Sequence, residues 1–239
     1  MRSKLCLVLG LSVLGVLLAA APAQAQRGRG FGRTNSLASL AGSEAVQKEL
    51  GVGAAETAKL EQLADEYREA LQQEMSAAGL SDAFRGLGDL PQAERDAKMI
   101  ELRSKSAEAS KKVNEKFEPK LKDALTADQF KRLQEIVIQS AGVAALASPD
   151  VVKNLGLSDE QQKKIAEVAA GHERAQRELF AGAEGDFQAL RPKLAELTKE
   201  TETKASDVLT GEQKEKFAAL KGKPFDLATL RSGRGRDNN

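Results

Sequence analysis

Apolar residues return every three or four positions through most of this chain and almost nowhere every two. Leu60, Leu63, Tyr67, Ala70/Leu71 and Met75 fall on one helical face, as do Ile165, Val168, His172, Ala175 and Leu179. Met99, Leu102, Ala109, Val113, Phe117 and Leu121 make a second stripe, and Phe187, Leu190, Leu194, Leu197, Ala205 and Val208 a fourth. Such spacing predicts long amphipathic helices, each burying one side. Pro119 and Pro192 interrupt two of the stripes and predict a kink or local break there. Shorter helices are expected at Glu44–Leu50 and Pro149–Leu155, and closing helices at Ala127–Ser140 and Gly211–Lys221. The segment Gly79–Pro91 is glycine-rich and reads as a loop, though Leu80, Phe84, Leu87 and Leu90 imply that it packs. The expected fold is all-α.

The pattern also occurs twice. SEAVQKELGVG at 43–53 returns as SPDVVKNLGLS at 148–158, a shift of 105, and LTADQFKRL at 125–133 returns as LTGEQKEKF at 209–217, a shift of 84. The chain therefore reads as two copies of one unit, the first longer by about 21 residues in its middle. Each copy is expected as a short helix, an antiparallel pair of long helices and a closing helix, together an elongated, coiled-coil-like bundle. Helix starts are spelled out as well. Thr126 with Gln129, Ser158 with Gln161, and Thr210 with Gln213 have the spacing of reciprocal capping boxes, and Val52–Glu56 is a decayed fourth. Leu125 and Phe130 complete a hydrophobic staple around the first box, whereas Lys214 takes the staple position in the last. Losing one such cap costs about 1 kcal/mol, so the motif has a structural purpose without any catalysis.

Composition adds a compartment. Arg2 and Lys4 precede an apolar run, Leu5–Ala20, and the small-x-small triplet Ala23-Gln24-Ala25, which together read as a signal peptide over 1–25. Retention of that run as an N-terminal membrane anchor is the alternative. Export to the periplasm or beyond is expected. Cys6 lies within the leader, so the remaining 214 residues carry no cysteine and no disulfide. Aromatics are 4% and Trp is absent, which argues against a thick core. Residues 35–230 hold 28 basic against 34 acidic side chains, while arginines concentrate in the flanks. The Arg/Gly-rich segments 26–36 and 231–239 are expected to be disordered, with 37–142 and 143–230 as the two helical repeats. Those tails could touch an anionic surface; export argues against a nucleic-acid partner.

Chemistry is sparse. His172 is the only histidine and occupies the repeat position of Tyr67, so a partly buried amphipathic side chain is the simpler account. One histidine and no exported cysteine make a poor metal site. Neither a Cys–His pair nor a nucleophile elbow is present, and Gly28-x-Gly30-x-Gly32 follows a leader, not a strand. No enzyme, cofactor or metal is expected. Thin helices with few aromatics instead leave apolar side chains unsealed, and such patches mark interaction sites. Candidates for a shared apolar groove are Tyr67, Met75, Phe84, Met99, Phe117, His172 and Phe180.

Two boxes per unit, one opening a long helix and one the closing helix, resemble the LTxxQ-motif family of periplasmic proteins, the Spy and CpxP group. Family members form curved helical dimers whose concave face holds unfolded polypeptides without ATP; others regulate envelope-stress sensor kinases, and relatives sense zinc or nickel. The resemblance spans most of 43–230 and implies a chaperone-like protein binding unfolded or partner polypeptides in the cell envelope. A structural or regulatory envelope component is the alternative, and a metal sensor a more distant one. The chain departs from the pattern by carrying two units in tandem, by its decayed first box and by the absent last staple.

Overall fold

The computed structural model describes residues 36–83, 86–87, 90–182 and 187–232. Among them there is no strand, as the spacing requires, and they fall in one compact unit. The helices are α1 (Leu37–Ala41), α2 (Glu44–Leu50), α3 (Ala54–Ala77), α4 (Leu80–Ala83), α5 (Gln92–Ala124) and α6 (Ala127–Ala141). A 3-10 turn (Gly142–Ala147) leads to α7 (Pro149–Leu155), α8 (Asp159–Ala181), α9 (Phe187–Val208), α10 (Gly211–Lys221) and α11 (Thr229–Ser232). The leader at 1–25, nearly all of the segment 26–36 and the end of the basic tail lie outside the described residues. Ser36, the last residue of that segment, caps α1 by accepting from the Ser39 amide, and α11 reaches Ser232 in the expected tail.

Neither proline breaks its helix. α5 continues through Pro119 and α9 through Pro192 without a break. Each proline removes one intrahelical bond, but buried neighbours hold the path. Phe117 and Leu121 are 2% and 1% exposed on either side of Pro119, and Leu190 is 4% exposed before Pro192. Several buried side chains along each helix, at roughly 1.5–3 kcal/mol apiece, together offset the roughly 3 kcal/mol that an interior proline costs.

The largest core joins α1, α2, α3, α5 and α6. It contains Leu40, Val46, Leu60, Phe117, Leu133 and Ile136, among others. Tyr67 stacks edge-on against Phe117, with ring centres 5.5 Å apart, and its hydroxyl donates to Asn114 Oδ1 at 2.8 Å. Glu66 meets Lys120 at 2.8 Å, and Ala77 lies beside Glu108 nearer the other end. α5 therefore runs back along α3. A second core holds Leu146, Val151, Leu155, Leu157, Ile165, Ala205 and Leu209, and a third sets Leu80 and Leu87 against Leu102. The glycine-rich segment thus does pack, through Leu80, Leu87 and the partly buried Leu90.

Short helices end alike in the two halves. Gly51 and Gly156 both take φ 62°, the left-handed conformation that glycine adopts at no steric cost. The following amides, Val52 and Leu157, bond back to Gln47 and Val152, satisfying carbonyls that the helix leaves free. After α10 the chain crosses to the first half. Gln139 donates to the carbonyls of Lys221 and Lys223 and accepts from the Phe225 amide, while Phe225 and Leu230 pack onto the largest core. Arg132 donates to the Lys223 carbonyl at 2.8 Å and pairs with Glu49 and Glu135. Although burial opposes its charge, the hydrogen bonds it donates to Glu135 and Glu49 hold the guanidinium protonated.

Candidate functional site

The seven groove candidates go to different places. Tyr67 and Phe117 are 3% and 2% exposed and face each other inside the largest core. Met75 and Met99 are partly buried against the third core. Phe84 lies outside the described residues. His172 is half-buried between α8 and α9, and Phe180, near the end of α8, is 48% exposed. The described candidates therefore do not line one groove, and among them only His172 and Phe180 share an open surface region.

That region is the α8–α9 pair. Of the 23 residues of α8 only Ile165 is buried, and α9 contributes Leu190, Thr201 and Ala205. Its stripe residues Val168, Ala175, Leu179, Leu194 and Leu197 remain half-exposed. Small side chains explain this locally, because Ala169, Ala170, Gly171 and Ala175 give the middle of α8 little bulk to seal the seam. A furrow of about 540 Å³ follows the seam, bordered by Lys164, Val168, His172 and Ala175 of α8 and by Leu197, Thr201, Lys204 and Val208 of α9. Within it His172 Nδ1 lies 2.9 Å from Thr201 Oγ1, while the Thr201 hydroxyl donates to the Leu197 carbonyl at 2.7 Å. A hydroxyl has one proton, so Thr201 accepts and His172 carries its proton on Nδ1.

The capping motifs are complete at α6, α8 and α10, where Thr126, Ser158 and Thr210 each exchange bonds with Gln129, Gln161 and Gln213. Gly53 and Glu56 make no such box at α3. Each glutamine also does something that its spacing did not announce. Gln129 Nε2 donates to the Leu50 carbonyl at 3.2 Å, and Gln213 Nε2 to the Leu155 carbonyl at 3.3 Å. The closing helix is thereby tied to the end of the short helix in both halves. In the second half Gln161 and Gln213 also bond each other, at 2.7 and 3.1 Å, and Gln161 reaches the Val208 carbonyl at 3.0 Å. One amide group thus caps its own helix and anchors a neighbour.

Electrostatic perturbations sit elsewhere, on exposed helix faces. Hydrogen bonds from Lys105 and then Lys98 bring the Glu101 carboxyl down to about 2. Lys120, Lys164 and Lys216 lower Glu66, Glu160 and Glu212 in the same way. These are solvent-screened surface ion pairs, with Lys164 at the edge of the α8–α9 furrow. Among the described residues no three His, Cys, Asp or Glu side chains are grouped to hold a metal ion. Likewise no single described helix is long and apolar enough to cross a membrane. No protein-family model, curated protein or solved structure matches the chain.

Proposed function

We propose that this chain is an exported, tandem-duplicated helical protein of the LTxxQ type, which holds other polypeptides without catalysis or cofactor. The observation that carries the reading is the α8–α9 pair, whose apolar stripe stays half-exposed along most of its length while Phe180 projects from α8. A continuous apolar strip edged by Lys164, Glu167, Glu200 and Lys204 suits extended, partly unfolded segments, which offer apolar side chains and charges without a fixed shape. Duplication is supported by matched geometry: Gly51 with Gly156 at one φ, and Gln129 to Leu50 with Gln213 to Leu155. The partial sealing of the surface also explains why no ATP-driven step is needed, since a shallow strip releases its occupant by simple dissociation.

An aggregation assay tests the proposal. Protein beginning at Thr34, added in stoichiometric amount to a chemically unfolded client, should delay light scattering, and Phe180→Ser with Leu179→Ser should weaken the delay. Unchanged client aggregation at a severalfold excess of the protein would refute the polypeptide-holding reading.

A further inference from the structure

A second concavity has a different character. It lies between the 3-10 turn, α9, α10 and the segment that follows α10, and encloses about 550 Å³. That is within the range of about 300–1,000 Å³ typical of small-molecule sites. Val143, Leu146, Ala205, Leu209, Phe217 and Leu227 give it apolar walls, and Lys214 and Lys221 line it from one face of α10. Glu202 is the single carboxylate in the lining, against two ammonium groups. Among the described residues no carboxylate pairs with Lys221, whose ammonium rests 5.0 Å from the centre of the Phe217 ring. Lys214 meets Asp207 only at 3.9 Å.

Comparison of the halves says why this space is open. A shift of 84 sets Lys214, Phe217 and Lys221 in the places of Phe130, Leu133 and Val137, all of which belong to or pack on the first core. A shift of 105 sets Gly142 and Ala145 in the places of Leu37 and Leu40. Around the cleft, Gly142, Lys214 and Lys221 thus stand where Leu37, Phe130 and Val137 supply apolar bulk in the first half. This explanation rests on the duplication proposed above; the cleft and its charges stand without it.

We propose that this cleft binds a single-chain amphiphile with an anionic head, namely a long-chain carboxylate. Its acyl chain lies along Leu146, Leu209 and Phe217, and its carboxylate meets Lys214 and Lys221. A neutral apolar ligand would offer Lys214 and Lys221 no charge to meet, and a small anion would leave the walls wet.

Isothermal titration of the chain from Thr34 with decanoate, laurate and myristate, kept below their micellar concentrations, tests this. One equivalent should bind, tightening roughly tenfold from each acid to the next, as two added methylenes require. Dodecanol should bind laurate's site at least about threefold more weakly, the scale of a solvent-screened ion pair. Lys214→Glu combined with Lys221→Glu should weaken laurate about tenfold and leave dodecanol unchanged. Ala218→Phe, at an exposed lining position of α10, should block the cleft and abolish binding of both while retaining the wild-type helical melt. Absence of saturable uptake, equal affinity for laurate and dodecanol, or unchanged laurate binding in both variants would overturn the proposal. Client holding should survive Ala218→Phe, so failure of this site and failure of the polypeptide strip are separately visible.

Discussion

The α3–α5 and α8–α9 pairs are built from stripes of the same spacing, yet one is closed and the other is not. α3 buries Leu60, Leu63, Ala64 and Tyr67, and α5 buries Val113, Phe117 and Leu121 in the core shared with α1, α6 and the segment after α10, and Leu102 against α4. α8 buries Ile165 alone. The contrast is sharpest at one point. Where the first pair stacks Tyr67 on Phe117, the positions shifted by 105 and 84 hold His172 and Thr201, joined by a hydrogen bond. An aromatic pair fills its seam and contributes about 0.5–1.5 kcal/mol beyond the area it buries, whereas His and Thr leave a furrow. A helical stripe therefore states which side faces inward, and side-chain volume decides whether anything remains to be covered.

The largest expected effect is an asymmetry in core truncation. Leu60→Ala, at a fully buried position of α3, should cost about 2–5 kcal/mol in urea unfolding, against about 1 kcal/mol or less for the half-exposed Leu197→Ala of α9. Equal costs would erase the distinction between the two pairs. Next come the box glutamines. Gln213→Ala removes a cap and leaves Gln161 without its amide partner, a loss of about 2 kcal/mol. Gln129→Ala has no such partner and should lose about 1 kcal/mol.

A smaller and more discriminating change is His172→Tyr with Thr201→Phe, which rebuilds the first half's aromatic pair in the second. It should raise stability by about 1 kcal/mol and reduce client holding, read together by urea unfolding and light scattering. The smallest effect concerns acid. The Glu101 carboxyl is lowered to about 2 by Lys105 and Lys98. Its contribution is therefore complete above the ordinary value of 4.5 and lost as pH falls from there toward about 2. Glu101→Gln should flatten the acid dependence of the thermal midpoint in that window, lowering the midpoint slightly at neutral pH and leaving it unchanged below about pH 2.

Much of the fold was legible because it depends on local rules. The α2, α7 and α10 boundaries coincide with serine or threonine caps, left-handed glycines and the recurrent glutamine. Ser43 is a partial exception, since it stands at the cap position without a side-chain bond. α1 was missed, although Ser36 followed by Leu37, Leu40 and Ala41 is a one-turn helix signal. The return of Phe225 and Leu230 to the first core was not legible, because no spacing says which distant core an apolar residue joins. For the same reason Tyr67 and Phe117 read as groove candidates: periodicity puts them on the inward face, but only the packing of α1 and α6 shows that face to be closed.

Hydrogen exchange of the protein with and without a bound unfolded client addresses the contrast most directly. The account expects added protection along residues 164–181 of α8 and 194–208 of α9, with α3 and α5 unchanged. Protection centred on Tyr67 and Phe117, or none anywhere while a client is held, would contradict it.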